Sequence, residues 1–133
     1  MNYLLDTNVW VDYLTGRYPK VVDRIQQSPP DDLCVSSVVM AELRYGAEKS
    51  QRSSANHRLL DTLAGEVLCV DFDLDGASAY GALRAALERR GRLFGPYDMM
   101  IAAHAKSLGL VLVTDSVREF RRVRSLRVEN WRR

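Results

Sequence analysis

Four acidic residues occupy positions where an α/β protein usually places apolar side chains or neutral turns: Asp6, Glu42, Asp98 and Asp115. Asp6 follows the apolar run 2–5 and Asp115 follows the apolar run 110–114, and both runs are typical of short buried strands. If both strands belong to one open parallel sheet, their acids lie at the carboxyl edge, where ligands bind. Converging carboxylates repel each other unless protons or a hard cation neutralise them. The pattern therefore predicts a divalent-metal site.

Glu42 and Asp98 strengthen this prediction because each is expected to lie on the inner face of a helix. Helical spacing puts Glu42 on one side with Val38, Val39, Tyr45 and Gly46, a stripe expected to face the core. An unpaired ionised carboxylate in such a position is costly. The segment 98–109 likewise predicts a helix that begins at Asp98 and turns its carboxylate inward with the apolar residues at 101, 102 and 105.

Helix and turn capping is the alternative interpretation of three of these acids. Asp98 after Gly95-Pro96-Tyr97 could cap a helix, Asp115 before Ser116 could cap a turn, and Asp6 could start the first helix. Capping accounts for each of the three taken singly. It does not account for Glu42, which lies inside a predicted helix, so the four acids taken together favour metal binding.

Composition indicates one ordinary domain that spans residues 1–133. The chain has 133 residues, of which 47% are hydrophobic, enough for a substantial core. No apolar run approaches the ~20 residues that span a bilayer, and the start lacks the pattern of a signal peptide, so we expect a cytosolic protein without a membrane anchor. Cys34 and Cys69 lie in Leu-Cys-Val triplets and are predicted to be small buried side chains, not zinc ligands. His57 and His104 are isolated, which predicts structural roles and no histidine acid–base pair.

The net charge of +2 is unevenly distributed along the chain. Residues 116–133 contain seven arginines and two glutamates, a net charge of +5 that leaves −3 for residues 1–115. Guanidinium groups bind phosphate oxygens, so this segment could hold a polyanion beside the acidic site. It could equally be a solvated surface, since alternating apolar residues predict a final strand and turn there.

Strand and helix patterns alternate along the chain, which predicts an α/β fold with a mainly parallel central sheet and helices on both faces. Apolar runs predict four strands, near residues 2–5, 33–35, 67–70 and 110–114, in addition to the final strand. Helices are predicted at 6–14, 19–27, 58–63 and 74–90, together with those that carry Glu42 and Asp98. Ser36 or Ser37 is expected to cap the Glu42 helix, residues 49–56 to form a polar turn, and Gly91 to end the longest helix.

Four motifs in order resemble those of PIN-domain nucleases over almost the entire chain. They are Leu-Leu-Asp6-Thr7-Asn8, Ala-Glu42-Leu-Arg-Tyr-Gly46, Gly95-Pro-Tyr-Asp98-Met-Met-Ile-Ala-Ala-His104-Ala and Val-Thr114-Asp115. The set is most similar to the VapC toxins of bacterial type II toxin–antitoxin modules. Gly91-Arg92 before Gly-Pro-Tyr-Asp98, and Arg-Glu119-Phe120, are similar to the branch that cleaves the anticodon loop of initiator tRNA.

This resemblance implies an endoribonuclease whose metal ligands are Asp6 and Asp98, supported by Glu42. It also implies a homodimer and a small VapB-like antitoxin whose C-terminal segment blocks the acidic groove. The chain departs from the branch at two positions: Asp115 stands where Asn is common, and Leu93 stands where Pro is usual. The first departure leaves open whether Asp115 or Glu119 completes the site, and the second could alter the loop that helps choose the RNA.

The expected mechanism is hydrolysis assisted by Mg²⁺, with Mn²⁺ as a possible substitute, because oxygen-only sites suit magnesium and no histidine is placed as a base. Asp6 and Asp98 would hold the principal ion, and Glu42 and Asp115 would hold a second ion or orient the water. The residues Thr7, Asn8 and Thr114 are expected to hydrogen-bond these ligands.

Two other enzyme classes fit poorly. A dehalogenase-type phosphatase needs a second Asp two residues after its nucleophile, where this chain has Asn8, and a receiver domain needs a late Lys, which is absent after Lys106. The main alternative is a non-catalytic RNA- or protein-binding module on a PIN fold, which missing acids would favour.

Overall fold

All five strands run parallel in one sheet, in the order β3-β2-β1-β4-β5. The computed structural model describes residues 1–133. The strands are β1 (Tyr3–Leu5), β2 (Leu33–Ser36), β3 (Leu68–Val70), β4 (Val111–Val113) and β5 (Val128–Glu129). The helices are α1 (Thr7–Thr15), α2 (Pro19–Gln27), α3 (Ser37–Glu48), α4 (Ser53–Glu66), α5 (Leu74–Arg89), α6 (Pro96–Leu108) and α7 (Val117–Phe120), with a 3₁₀ turn at Pro30–Asp32. The predicted α/β fold with a parallel sheet is confirmed.

The strand order places a topological switch point between β1 and β4. The chain builds β2 and β3 to one side of β1, and then crosses to build β4 and β5 on the other. Right-handed crossovers in opposite directions place helices on opposite faces of the sheet. A crevice therefore opens at the carboxyl ends of β1 and β4, where Asp6 and Thr114 follow the last strand residues.

The central strands are buried because helices cover both of their faces. Leu4 and Leu5 of β1 and Leu112 and Val113 of β4 are fully buried, as expected of parallel strands that read as continuous apolar runs. Trp10 and Phe120 are the largest of the fully buried side chains. The core thus surrounds the two strands that end at the switch point, which gives the site a rigid base.

Several predicted boundaries and burials are corrected by the structure. Asp6 precedes α1 as its N-cap, and the predicted turn at 49–56 is shorter because α4 begins at Ser53 and runs to Glu66. Helix α5 ends at Arg89, one residue before the predicted end, and Gly91 follows with a φ of 62°. Cys34 is buried, and burial raises the pKa of its thiol to about 11. Cys69 is exposed instead of buried, because β3 is an edge strand.

The ends of the helices follow local rules that the sequence displays. Ser36 caps α3 by accepting a hydrogen bond from the Val38 N–H at 3.1 Å, which decides between the two predicted caps. Gly109 ends α6 in the left-handed conformation, with a φ of 68°, and the chain enters β4 two residues later. None of the seven helices combines the length and the apolar character that a membrane span requires.

Candidate functional site

Asp6 both caps α1 and faces the crevice at the switch point. Its backbone N–H donates to the Val113 carbonyl at 2.9 Å, which ties the end of β1 to β4. Its carboxylate accepts hydrogen bonds from the Thr7 N–H at 2.7 Å and from the Thr114 hydroxyl at 2.8 Å. The residue is only 5% exposed. The capping interpretation is therefore correct for Asp6, and it does not exclude a place in the site.

The pKa of Asp6 reflects its burial and, to a smaller extent, the neighbouring acids. Burial raises its pKa to about 6, while the hydrogen bonds from Thr114 and Thr7 lower it, and the carboxylates of Asp98 and Glu42 raise it further. The structure thus brings Asp6, Glu42 and Asp98 into one electrostatic neighbourhood although they are far apart in the chain. Such a cluster is stabilised by a cation.

Glu42 lies at the rim of this cluster and not in the core stripe of α3. The core face of α3 is formed by Val39, Leu43 and Ala47, whereas Tyr45, predicted to share the inner face, is 67% exposed. Glu42 is half-buried, and its carboxylate accepts a hydrogen bond from the Thr7 hydroxyl at 3.0 Å. The predicted core position of Glu42 is wrong, because the stripe was assigned about one residue off. Glu42 lies near Asp6 because it is bound by Thr7, the next residue in the chain.

Asp98 lies in the first turn of α6 and does not cap the helix. The N-cap is Gly95, so the capping interpretation of Asp98 is wrong. Its carboxylate accepts no hydrogen bond within the chain, and a Cβ at Gly95 would lie 3.6 Å from its Oδ2 atom. Burial raises the pKa of Asp98, and the carboxylates of Glu42 and Glu119 raise it further. A half-buried carboxylate without a partner, among other acids, is the group in this site that most needs a ligand.

Asp115 is directed toward an arginine instead of the other acids. Its Oδ2 atom lies 3.0 Å from Nη1 of Arg132, which also binds the buried Asp12 through contacts of 2.7 and 3.0 Å and lies 4.1 Å from the centre of the Tyr18 ring. The turn after β4 is capped by Thr114, whose hydroxyl accepts from the Ser116 N–H at 3.0 Å. The capping interpretation of Asp115 is therefore wrong.

Glu119 is the acid of this region whose charge acts on Asp98. Asp115 is not among the groups that shift the pKa of Asp6 or Asp98. Of the two acids that the sequence left open, Glu119 is the one whose charge acts on Asp98, and Asp115 is the one that is paired with Arg132. Glu119 follows Arg118 in α7, so its placement depends on the direction the chain takes after β4.

Two of the three side chains that were predicted to hydrogen-bond the acids do so. Thr7 binds Glu42 and Thr114 binds Asp6, as described above, whereas Asn8 is exposed and its side chain makes no hydrogen bond. Each threonine hydroxyl fixes one carboxylate, and the second oxygen of Glu42 and both oxygens of Asp98 accept no hydrogen bond within the chain. This division of roles suits a site in which the protein orients its acids before the ion binds.

Neither histidine is positioned as a catalytic base, as the sequence predicts. His104 is 1% exposed, its Nδ1 lies 2.8 Å from the Ser36 hydroxyl, and burial lowers its pKa, so the ring is neutral. His57 lies between Arg44 and Glu48, with contacts of 3.0 and 2.9 Å. Both rings serve the packing of helices.

No three acidic, histidine or cysteine side chains are arranged closely enough to hold a metal ion by themselves. An ion at this site would therefore need waters or substrate oxygens to complete its coordination, as Mg²⁺ does when it is bound through one or two carboxylates plus substrate phosphates. The unpaired carboxylate of Asp98 and the crowded carboxylate of Asp6 fit such an ion. The other acids can contact it through water.

Comparison with known proteins identifies the class. Residues 3–126 match the PIN domain family. The chain is 40% identical to the tRNA(fMet)-specific endonuclease VapC of Shigella flexneri and 39% identical to Ribonuclease VapC2 of Haemophilus influenzae, in each case over 98% of both chains. Its fold is similar to the DNA-bound VapBC complex from Salmonella typhimurium, with a TM-score of 0.92 and 37% identity over 98% of both chains. The match to VapBC-1 from nontypeable Haemophilus influenzae has a TM-score of 0.89 and 34% identity over the full length of both chains.

These matches cover the four acids, the switch point and the basic C-terminal segment together. The protein has a PIN domain, the nuclease class that the fold and the acidic cluster define. Within that class, the chain belongs to the VapC ribonucleases of toxin–antitoxin modules.

Proposed function

We propose that this VapC ribonuclease cleaves tRNA in a reaction that depends on Mg²⁺, with the anticodon loop of initiator tRNA as the first candidate substrate. The observation that carries the proposal is the cluster of Asp6, Glu42 and Asp98 at the switch point, where burial raises the pKa of Asp6 to about 6 and the carboxylates of Asp98 and Glu42 add to the increase. The similarity to the Shigella flexneri enzyme, whose name specifies tRNA(fMet), supports the choice of substrate.

The four acids divide into two pairs with different roles in this proposal. Asp6 and Asp98 hold the ion, while Glu42, fixed by Thr7, and Glu119 orient water around it. The chemistry that Mg²⁺ supplies at such a site is a lower pKa of the attacking water and neutralisation of the phosphate charge. Attack would form a bond from the water oxygen to phosphorus and break the bond from phosphorus to the 3′ oxygen. The water would lose one proton to solvent and the departing 3′ oxygen would take one up, which leaves a 5′-phosphate and a 3′-hydroxyl.

The expected partners are a VapB-like antitoxin and a second copy of the chain. A cavity of about 790 Å³ adjoins Thr7 and Glu42, and apolar side chains line much of it: Val11, Val38, Ala41, Tyr45, Phe72, Tyr97 and Met100. Tyr45 and Tyr97 are 67% and 63% exposed, an unusual state for large side chains. This groove supports docking of the antitoxin segment that blocks the site, and the VapBC complexes of similar fold support the pairing.

The direct test is cleavage of a transcript of initiator tRNA by the purified protein. We expect cleavage with Mg²⁺ or Mn²⁺, no cleavage in excess EDTA, and products with 5′-phosphate and 3′-hydroxyl ends. Asp98→Asn should abolish cleavage while the circular dichroism spectrum is retained, and elongator tRNA serves as the substrate control. Full activity in EDTA, or 2′,3′-cyclic phosphate ends, would reject the metal mechanism.

The alternative of a non-catalytic binding module is distinguished by growth experiments. Induced expression should arrest growth through depletion of a few RNAs, and co-expression of the antitoxin should restore growth. Growth arrest that persists unchanged in the Asp6→Asn variant would show toxicity without catalysis and would favour the binding module.

A further inference from the structure

A second cleft, beside the acidic site, concentrates positive charge. It has a volume of about 600 Å³ and is lined by Asp115, Val117, Arg118, Arg121, Asn130 and Arg133. The three arginines come from α7, from the residue after it and from the C-terminal turn, and all three are exposed. The basic character of residues 116–133 is therefore focused on one concave surface.

These three guanidinium groups have no acidic partner in the chain. Arg24, Arg44 and Arg132 each form an ion pair, whereas Arg118, Arg121 and Arg133 form none and donate no side-chain hydrogen bond. The acid that lines the cleft, Asp115, is paired with Arg132 through its Oδ2 atom, while its Oδ1 atom is buried and has no hydrogen-bond partner. Three like charges around one cleft repel each other, and an anion bound between them removes that repulsion.

The cleft begins where the acidic site ends. Asp115 directly follows Thr114, whose hydroxyl binds the Asp6 carboxylate, and Arg118 precedes Glu119, whose charge raises the pKa of Asp98. The cleft is therefore joined to the acidic site by the segment 114–119, which places its arginines where they can contact an RNA strand bound at Asp6 and Asp98.

We propose that Arg118, Arg121 and Arg133 bind backbone phosphates of the RNA on one side of the scissile bond. This inference rests on the proposed function and extends it from the acidic site to the path of the substrate. Guanidinium groups bind phosphate oxygens through paired hydrogen bonds, and such contacts position a strand without reading its bases. The cleft thus contributes affinity and register, while base selection belongs to other surfaces.

An RNA strand fits this cleft better than a polypeptide does. Only one hydrophobic residue, Val117, lines the cleft, so it offers little apolar area for a protein segment. The apolar groove beside Thr7 and Glu42 is the better surface for a polypeptide. The groove and the cleft share no lining residue, so the proposal assigns substrate binding and inhibitor binding to different surfaces.

The test measures RNA binding in the Asp98→Asn background, where the RNA is not cleaved. Fluorescence anisotropy with a labelled anticodon stem–loop of initiator tRNA gives Kd as a function of KCl concentration. Replacing all three arginines by glutamine should raise Kd about tenfold or more at 0.1 M KCl, and should reduce the slope of log Kd against log salt by about 2, since each lost phosphate contact removes about 0.7 for single strands. When the three arginine substitutions are made in the protein that retains Asp98, KM for RNA cleavage should rise while kcat changes less than about twofold.

Matched controls separate local contacts from general charge. Arg52, Arg58 and Arg124 are also exposed and have no acidic partner, but they lie outside the cleft. Replacing these three arginines by glutamine removes the same charge as the cleft variant and should leave Kd and its salt slope close to those of the parent. Equal effects of the controls and the cleft variants would overturn the proposal, as would an unchanged Kd in the triple variant.

The failure of this proposal is distinguishable from the failure of the proposed function. If the native protein cleaves RNA and the triple variant binds RNA as the parent does, only the cleft assignment is overturned. If the triple variant binds RNA normally but escapes inhibition by the antitoxin, the cleft is a protein contact and the assignment is again overturned. If the native protein cleaves no RNA with either metal, the proposed function fails, and the anisotropy titration still decides whether the cleft binds RNA.

Discussion

Replacing Asp6 by asparagine should stabilise the metal-free protein at neutral pH while it removes activity. The pKa of Asp6 in the folded chain is about 6, compared with an ordinary value of 3.8, because burial and the carboxylates of Asp98 and Glu42 disfavour its charge. The folded state therefore binds more protons than the unfolded state between these values, and stability falls as pH rises through that window. Above pH 6 the full penalty is about 3 kcal/mol.

The substitution also has a structural cost, because asparagine offers one acceptor oxygen where the carboxylate offers two. The Asp6 carboxylate accepts from the Thr7 N–H and from the Thr114 hydroxyl. Losing one of these bonds costs about 1 kcal/mol. We therefore expect a net stabilisation of about 2 kcal/mol at pH 7.5, which raises the melting temperature by about 8 °C for a chain of this size.

Urea and thermal unfolding in EDTA, measured between pH 4.5 and pH 8, test this expectation. The advantage of the Asp6→Asn variant should disappear as pH falls below 5, where the parent carboxyl becomes protonated. Asp23→Asn, which changes an exposed acid of α2 that forms no ion pair, is the matched control and should show neither effect. Saturating Mg²⁺ should stabilise the parent and not the variant, so the difference between their free energies of unfolding should become smaller. An Asp6→Asn variant that is less stable than the parent by about 1 kcal/mol at pH 7.5 in EDTA, the cost of a lost helix cap, would refute the reasoning from the raised pKa of Asp6.

Three further substitutions test the organisation of the site. Asp115→Asn should retain most RNA cleavage and Glu119→Gln should lose most of it, and the reverse order of activities would return Asp115 to the site. Thr7→Val should raise the Mn²⁺ concentration needed for half-maximal cleavage about tenfold, because Glu42 loses the hydroxyl that fixes it; an unchanged metal dependence would show that this hydrogen bond has no part in metal binding. Arg132→Leu should lower the free energy of unfolding by about 3 kcal/mol in urea titrations, because the buried carboxylate of Asp12 in α1 is left unpaired. A loss below about 1 kcal/mol would show that this ion pair contributes little to stability.

Local patterns in the sequence were sufficient to identify the strands and most of the helices. The apolar runs before Asp6 and Asp115 form β1 and β4 because a chain segment buried on both faces needs continuous apolar side chains. Helix α2 begins at Pro19 as predicted, since proline is favoured in the first helical turn. Boundaries within polar segments, such as the start of α4 at Ser53, were less well predicted because few apolar residues mark them.

The acidic site was predictable in part because motif spacing and strand ends are properties of the sequence. Asp6 and Asp98 lie where those patterns place them, and the charge of Asp98 acts on Asp6. The contacts of the other acids were not predictable in the same way. Glu42 depends on a hydroxyl 35 positions away, and Asp115 on an arginine that also binds Asp12 across 120 positions.

The sequence by itself determined the fold class, the family and the acids that the strands and helices present. Hydrophobic period, capping residues and motif spacing are local, so they can be read before the chain folds. Only the tertiary structure decided that Asp115 turns to Arg132, that Glu119 acts on Asp98, and that three unpaired arginines surround one cleft. These outcomes depend on the direction the chain takes after β4 and on side chains that meet through space, and no local pattern encodes either.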